Sequence, residues 1–199
     1  MATAPLRKDA ARNWQRIVEV GRHLVNDGVP LQLNEVARLA GVGVATVYRH
    51  FPTPEALLET VAAPGLETLA ARGERALADG DPWQAMADFL FAAIDVMLTD
   101  ASISAVTTAP DHALPRTAEL KARLQALCGQ LLDRACAAGT VRRDMTQADL
   151  IPLMCGVAYA AKAHASGQEP ASATGRRYLA VTLDGLRASP SSDAMSRDN

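Results

Sequence analysis

Residues 33–51 read LNEVARLAGVGVATVYRHF, and this stretch constrains the fold more than any other. Apolar residues at helical spacing run as far as Ala40. Gly41 then offers the positive φ of a tight turn, and a second short helical run starts at Val44. Val36, Ala37, Leu39, Ala40, Val42 and Val47 fall where the two runs would pack across each other, and Ala45 permits close approach. That is the geometry of a helix-turn-helix, whose second helix enters the major groove of DNA. Its outward face would offer Val44, Thr46, Tyr48, Arg49 and His50, a set of donors suited to phosphates and base edges. A glycine-turned helix pair standing alone is as often plain packing as a reader of nucleic acid.

The rest of the chain is helical in pattern, because β-branched and aromatic residues never alternate over a useful length. Periodicity predicts helices over 9–26 (stopped by Gly28), 33–40 and 44–51. Thr53-Pro54-Glu55 reads as N-cap, first-turn proline and early acid of a fourth helix, which Pro64-Gly65 is expected to kink or break. Asp81-Pro82 opens a helix with Trp83, Met86, Phe89 and Met97 on one stripe. A short helix and a loop follow, and Pro115 starts a long helix closed by Gly139. Thr146 with Asp149 resembles a capping box for a helix reaching about residue 165, bent rather than abolished by Pro152. A last helix spans 176–188, and the polar tail 189–199 is expected to be disordered. The fold class is all-α, with eight or nine helices and no sheet.

Charge is unevenly placed. The 199 residues carry 20 basic and 22 acidic side chains, for a net charge of −2, which excludes a uniformly basic coat. Residues 1–51 hold seven basic residues against four acids, and the remainder thirteen against eighteen. A basic head on an acidic body suits a local anionic partner. No apolar stretch approaches the roughly 18 residues of a membrane span, and no apolar h-region follows the N-terminal basic residues, so a cytoplasmic protein is expected. Cys128, Cys136 and Cys155 form no CxxC pair and read as reduced thiols.

Other chemistry is thin. Asp111 and His112 would make an acid–base pair or the start of a metal site, but no third ligand stands at a telling distance, so neither metal nor cofactor is expected. Cys128 and Cys136 lie two turns apart on one helix, about 12 Å, too far to bridge. Trp83, Met86, Phe89, Met97 and Met154 are core residues by default, although such side chains also line adaptable pockets; with His112 they form a candidate ligand set. Two rivals to DNA binding stand beside it: a small helical enzyme working through Asp111, His112 and a thiol, and a scaffold whose head packs on protein.

Ala40-Gly41-Val42, Thr46, Val47, Tyr48, His50, Phe51, Thr53, Glu55 and Leu57 match a longer pattern, and through it the head resembles the TetR family of bacterial transcriptional regulators. The segment AAGTVRRD at 137–144, with Asp149-Leu150, is similar to ligand-domain helices of one subgroup. The resemblance implies a non-enzymatic, ligand-responsive repressor. Its DNA-binding head would occupy 1–62 and its helical effector-binding and dimerisation domain 63–188. A homodimer would read a palindromic double-stranded operator and leave it when a small organic effector binds. Tyr48 and His50 would contact phosphates with Thr46 in support, while Val44, Ala45 and Arg49 would lie against the base edges, Arg49 reading guanine; Gly43, at the start of the same helix, belongs to the DNA-binding set. Gly43 stands where the family has a serine cap, Gln32 where a threonine is common, and Pro54 where a basic residue often reaches the backbone. Modest affinity and a shallow salt dependence follow. The last two long helices, with Gly156, Ala158, Ala160, Ala161, Ala163 and Gly185, would allow close approach of two copies. Effector binding among the helices of 81–138 would move the 53–79 segment, with Pro64-Gly65 as its bend.

Overall fold

The computed structural model describes residues 4–164 and 170–188, with side chains from Asp9 onward, so the tail at 189–199 lies outside the described residues. Among them are nine helices: α1 (Ala4–Asn26), α2 (Leu33–Ala40), α3 (Val44–His50), α4 (Pro54–Leu77), α5 (Pro82–Thr99), α6 (Ala101–Thr108), α7 (Pro115–Ala137), α8 (Gln147–His164) and α9 (Ala171–Leu186). Among the described residues the only pairing of strand type is an isolated bridge between Val141 and Arg187. The fold is all-α, as the periodicity predicts. Helices α1 and α9 each start five residues before the expected point, adding APLRK and ASATG to the segments that the apolar stripes marked.

Helix ends follow the local chemistry. The Thr53 hydroxyl accepts from the Ala56 N–H at 3.2 Å and caps α4. One Asp81 carboxylate oxygen accepts from Trp83 and Gln84 N–H at 2.9 and 3.1 Å and caps α5. Asp100 accepts from the Ser102 N–H at the start of α6. At α8 both the N–H and the hydroxyl of Thr146 donate to one oxygen of Asp149, at 2.9 and 2.6 Å, so Asp149 does the back-reaching work of a capping box. Gly139 ends α7 with φ of 70°.

The described residues divide into two compact units, those up to Ala71 with Asp95–Leu124, and Arg72–Ile94 with those from Gln125 onward. In the first, Ile17, Val18, Leu33, Val36, Ala37, Ala40, Val47, Phe51, Leu57 and Val61 form one core. Leu57 sits 3.2 Å from where a Cβ on Gly21 would lie, so α1 and α4 approach closely there. The Asn26 side-chain carbonyl accepts from the first N–H of α6, at Ala101, over 2.9 Å. Glu59, 5% exposed, accepts from the Ala113 and Leu114 N–H groups at 2.6 and 2.8 Å, fixing the loop before α7 to α4. Lys121 donates to the Val106 and Ala109 carbonyls and closes the C-terminal end of α6.

Helix α4 runs through Pro64 without the break that the sequence allowed. A proline inside a helix costs about 3 kcal/mol, whereas each large apolar side chain buried contributes roughly 1.5–3 kcal/mol. Leu57, Val61, Ala62, Leu66, Leu69 and Ala70 are all buried on either side of it. Packing wins. The neighbouring Gly65 leaves room for α6: a Cβ there would lie 2.6 Å from Ile103 Cδ1, which would have to shift.

In the second unit Met86, Phe89, Leu90, Leu131, Leu150, Met154, Leu179, Leu183 and Leu186 are buried. Arg134 donates to the Leu77 and Asp79 carbonyls at 2.7 and 2.6 Å and satisfies the end of α4. Arg142 N–H donates to the Leu186 carbonyl and Ala188 N–H to that of Thr140, lacing the end of α9 to the α7–α8 turn. Arg187 stacks 4.0 Å above the Trp83 ring.

Candidate nucleic-acid interface

The recognition element is built from a glycine. Gly41 holds φ of 63°; its N–H donates to Arg38 and the Val42 N–H to Ala37, the two bonds that close a helix in a Schellman turn. Two residues on, Gly43 is extended, and its carbonyl accepts from Thr46 and Val47 N–H at 2.8 and 3.2 Å, starting α3 without a side-chain cap. Val47, fully buried, and Phe51, 3% exposed, press the inner face of α3 into the core. Their burial decides which side chains face out.

Gly43, Val44, Ala45, Tyr48 and Arg49 are exposed, with Val44 and Tyr48 each at 46%. That contiguous outward strip matches most of the expected set. Thr46 and His50 differ, since both are half-buried. The Nε2 atom of His50 is shut off from solvent with no hydrogen-bond partner, and its ring lies 6.3 Å from that of Phe51. Leu39 also departs from expectation. It is 46% exposed instead of packing between the helices, because Val36, Ala37 and Ala40 already occupy the inner face of α2. Trp14 of α1 rests its ring 6.5 Å from Phe51 while remaining 41% exposed.

The sequence reading missed one ion pair here. Arg38, on the first helix of the pair, is gripped by Glu35 through two bonds of 2.8 and 2.6 Å. Hydrogen bonding by the guanidinium lowers the Glu35 pKa, and the same bond raises that of Arg38. The i, i+3 spacing of the two residues is the signal that would have found it.

The remaining candidates scatter. Met86, Phe89 and Met154 are buried in the second unit, where Trp83 lies half-buried under Arg187. Met97 is buried in the first unit, and His112 is exposed in its loop beside the exposed Asp111. No disulfide joins Cys128, Cys136 or Cys155. Burial pushes the Cys128 thiol up to about 11, and burial, with Asp133 second, raises that of Cys136.

A glycine-turned helix pair anchored by Val47 and Phe51, with donors on the outward face of its second helix, defines a helix-turn-helix DNA-binding protein. Residues 26–61 match the family described as bacterial regulatory proteins, tetR family, and residues 81–188 match the C-terminal domain described as transcriptional regulator SbtR-like. The chain belongs to the TetR family and is a DNA-binding transcriptional regulator. A TetR transcription regulatory protein from Mycobacterium vanbaalenii is 32% identical, its crystal structure covering 92% of this chain and 100% of that one at a TM-score of 0.50. FadR from Bacillus subtilis, crystallised in complex with stearoyl-CoA, shares the fold at a TM-score of 0.62, with 13% identity over 87% of this chain and 99% of its own. A helix-turn-helix-type transcriptional regulator of Staphylococcus aureus (strain USA300) is 44% identical over 48 residues, 23% of this chain. The chain spans 26% of the length of that curated relative.

Proposed function

We propose that the protein is a repressor that binds a palindromic operator as a homodimer and is released from it by a small organic effector. The observation that carries the reading is the exposed strip of Val44, Ala45, Tyr48 and Arg49 on α3, backed by the wholly buried Val47. Tyr48 contacts a phosphate. Arg49, as the guanidinium on this strip, reads guanine through two parallel bonds, and Val44 and Ala45 touch thymine methyls. Since the His50 Nε2 atom is enclosed, His50 serves chiefly to brace Phe51.

Pairing of two copies is assigned to α8 and α9. Pro152, Gly156, Tyr159, Ala160 and Ala163 of α8 and Ala180, Val181 and Gly185 of α9 are exposed, with Tyr159 at 76% and Val181 at 69%. Nothing lies within 4 Å of a Cβ built on Gly156 or Gly185, so a partner helix has room to approach. An effector site in the helical domain, 63–188 as the functional division, is supported by family membership and by the acyl-CoA held by the Bacillus subtilis neighbour. The bonds from Asn26 to α6 and from Glu59 to the loop before α7 supply a path by which a shift of α6 reaches the head.

The test is selection of bound duplexes from a randomised pool, followed by fluorescence anisotropy. An enriched inverted repeat is expected, with Arg49→Ala losing about 1–3 kcal/mol of discrimination at one base pair per half-site. An unstructured pool after selection, or an Arg49→Ala protein with unchanged preference, overturns the reading.

A further inference from the structure

Within the second unit, the end of α4 with the turn that follows it on one side, and α5 on the other, line a shared cleft of about 340 Å3. Arg72, Arg75, Ala76 and Asp79 stand at i, i+3, i+4 and i+7 on one side, and Ala85, Asp88, Phe89 and Ala92 repeat that spacing on the other. A closed helix seam would fill such positions with leucine-sized side chains. Three of them are alanine here, which is why space remains. The volume lies within the roughly 300–1,000 Å3 of small-molecule sites. The floor is the buried Phe89 ring, whose Cε2 atom sits 3.2 Å from where a Cβ on Gly73 would lie, so the glycine admits the ring against α4.

The walls carry charges that do not neutralise each other. Arg72 and Arg75 are exposed and, among the described residues, form no ion pair, although Asp79 and Asp88 line the same cleft. One oxygen of Asp88 accepts from the Gln84 amide at 2.8 Å and one of Asp79 from the Asp81 N–H at 3.0 Å. Each carboxylate keeps a second oxygen for another donor. Two guanidinium groups match a carboxylate or phosphate in geometry. Two half-satisfied carboxylates match an ammonium. With formal charges in balance across the lining, the cleft favours neither a simple anion nor a simple cation.

We infer that this cleft binds a small dipolar organic molecule: an anionic oxygen group on Arg72 and Arg75, an ammonium on Asp79 and Asp88, and an apolar body against the half-buried Ala76 and Ala92. Its use as an effector site rests on the DNA-binding reading above, whereas its occupancy does not. Isothermal titration calorimetry of the full chain uses three molecules of one shape: 4-(aminomethyl)benzoate, 4-methylbenzoate and 4-methylbenzylamine. The first is expected to bind at least about tenfold more tightly than either single-ended molecule. Arg72→Ala with Arg75→Ala should reduce it to the level of the amine, and Asp88→Asn to the level of the benzoate; these exposed substitutions leave the core untouched. No heat from any of the three up to about 10 mM, equal affinity for all, or an unchanged double arginine variant overturns the inference. Duplex anisotropy with and without the dipolar molecule reports separately on regulation, so failure of one reading does not mimic failure of the other.

Discussion

At Gly41 one backbone angle decides whether α3 can be presented at all. An L side chain in that left-handed conformation costs about 1–2 kcal/mol, so Gly41→Ala should lower the unfolding free energy by about that amount in urea titrations, with an unchanged m-value. Nothing lies within 4 Å of a Cβ built there, so the loss is conformational and not steric. This role was legible in the sequence, because a glycine between two short apolar runs has few other uses. The half-burial of His50 and the exposure of Leu39 were not, since both depend on which neighbours fill the inner faces of α2 and α3. Cys128 makes a second case at this scale. Its thiol, raised to about 11 by burial, is almost wholly protonated at about pH 8. In a Cys136→Ser, Cys155→Ser background, Cys128 should resist a thiol-modifying reagent until denaturant is added, and prompt native-state reaction would show that the site opens.

Among the elements, α4 and α8 show which features sequence can reveal. The start of α8 was legible because Thr146 and Asp149 lie three residues apart and their bonds are local. Hydrogen bonds from Thr146 lower the Asp149 pKa. The stabilisation is therefore complete above the ordinary aspartate value and is lost as pH falls through the depressed one. The melting temperature of the wild-type protein should exceed that of Asp149→Asn at about pH 6, and the gap should narrow steadily as pH falls below the ordinary aspartate value. The grip of α4 on the loop before α7 was not legible, since Glu59 meets its partners 54 and 55 residues away. Glu59→Gln replaces one accepting oxygen with an amide NH2 facing an N–H donor. Both N–H groups are part-buried, so leaving one unmet should cost about 1 kcal/mol, the lower end for an unsatisfied donor, which urea unfolding should register. The proline of α4 teaches the reverse lesson: a strong local breaker signal at Pro64 is overruled by six buried neighbours, a balance that appears only once the core is assembled.

For the molecule as a whole, charge placement sets how it meets DNA. A net charge of −2 makes the acidic body repel a duplex, so attraction depends on the few cations the head presents. The Glu35–Arg38 pair subtracts from those few. Arg38 lies on the first helix of the helix-turn-helix, the one that crosses the phosphate backbone in this class, and its guanidinium is spent on an exposed carboxylate. Exposed ion pairs are worth only about 0.2–1 kcal/mol, less than a guanidinium gains on a phosphate at low salt, so freeing Arg38 should cost the fold little. Glu35→Gln removes one acid and releases one cation per head. Each phosphate newly neutralised steepens the dependence of log K on log salt by about 0.9, so a dimer should show a slope steeper by nearly two and tighter binding below about 0.1 M salt. Anisotropy titrations on any duplex of operator length measure this, because the effect carries no sequence information. A slope that stays put would mean that Arg38 never reaches the backbone, and the docking of α2 across the phosphates would have to be abandoned while α3 kept its place in the groove.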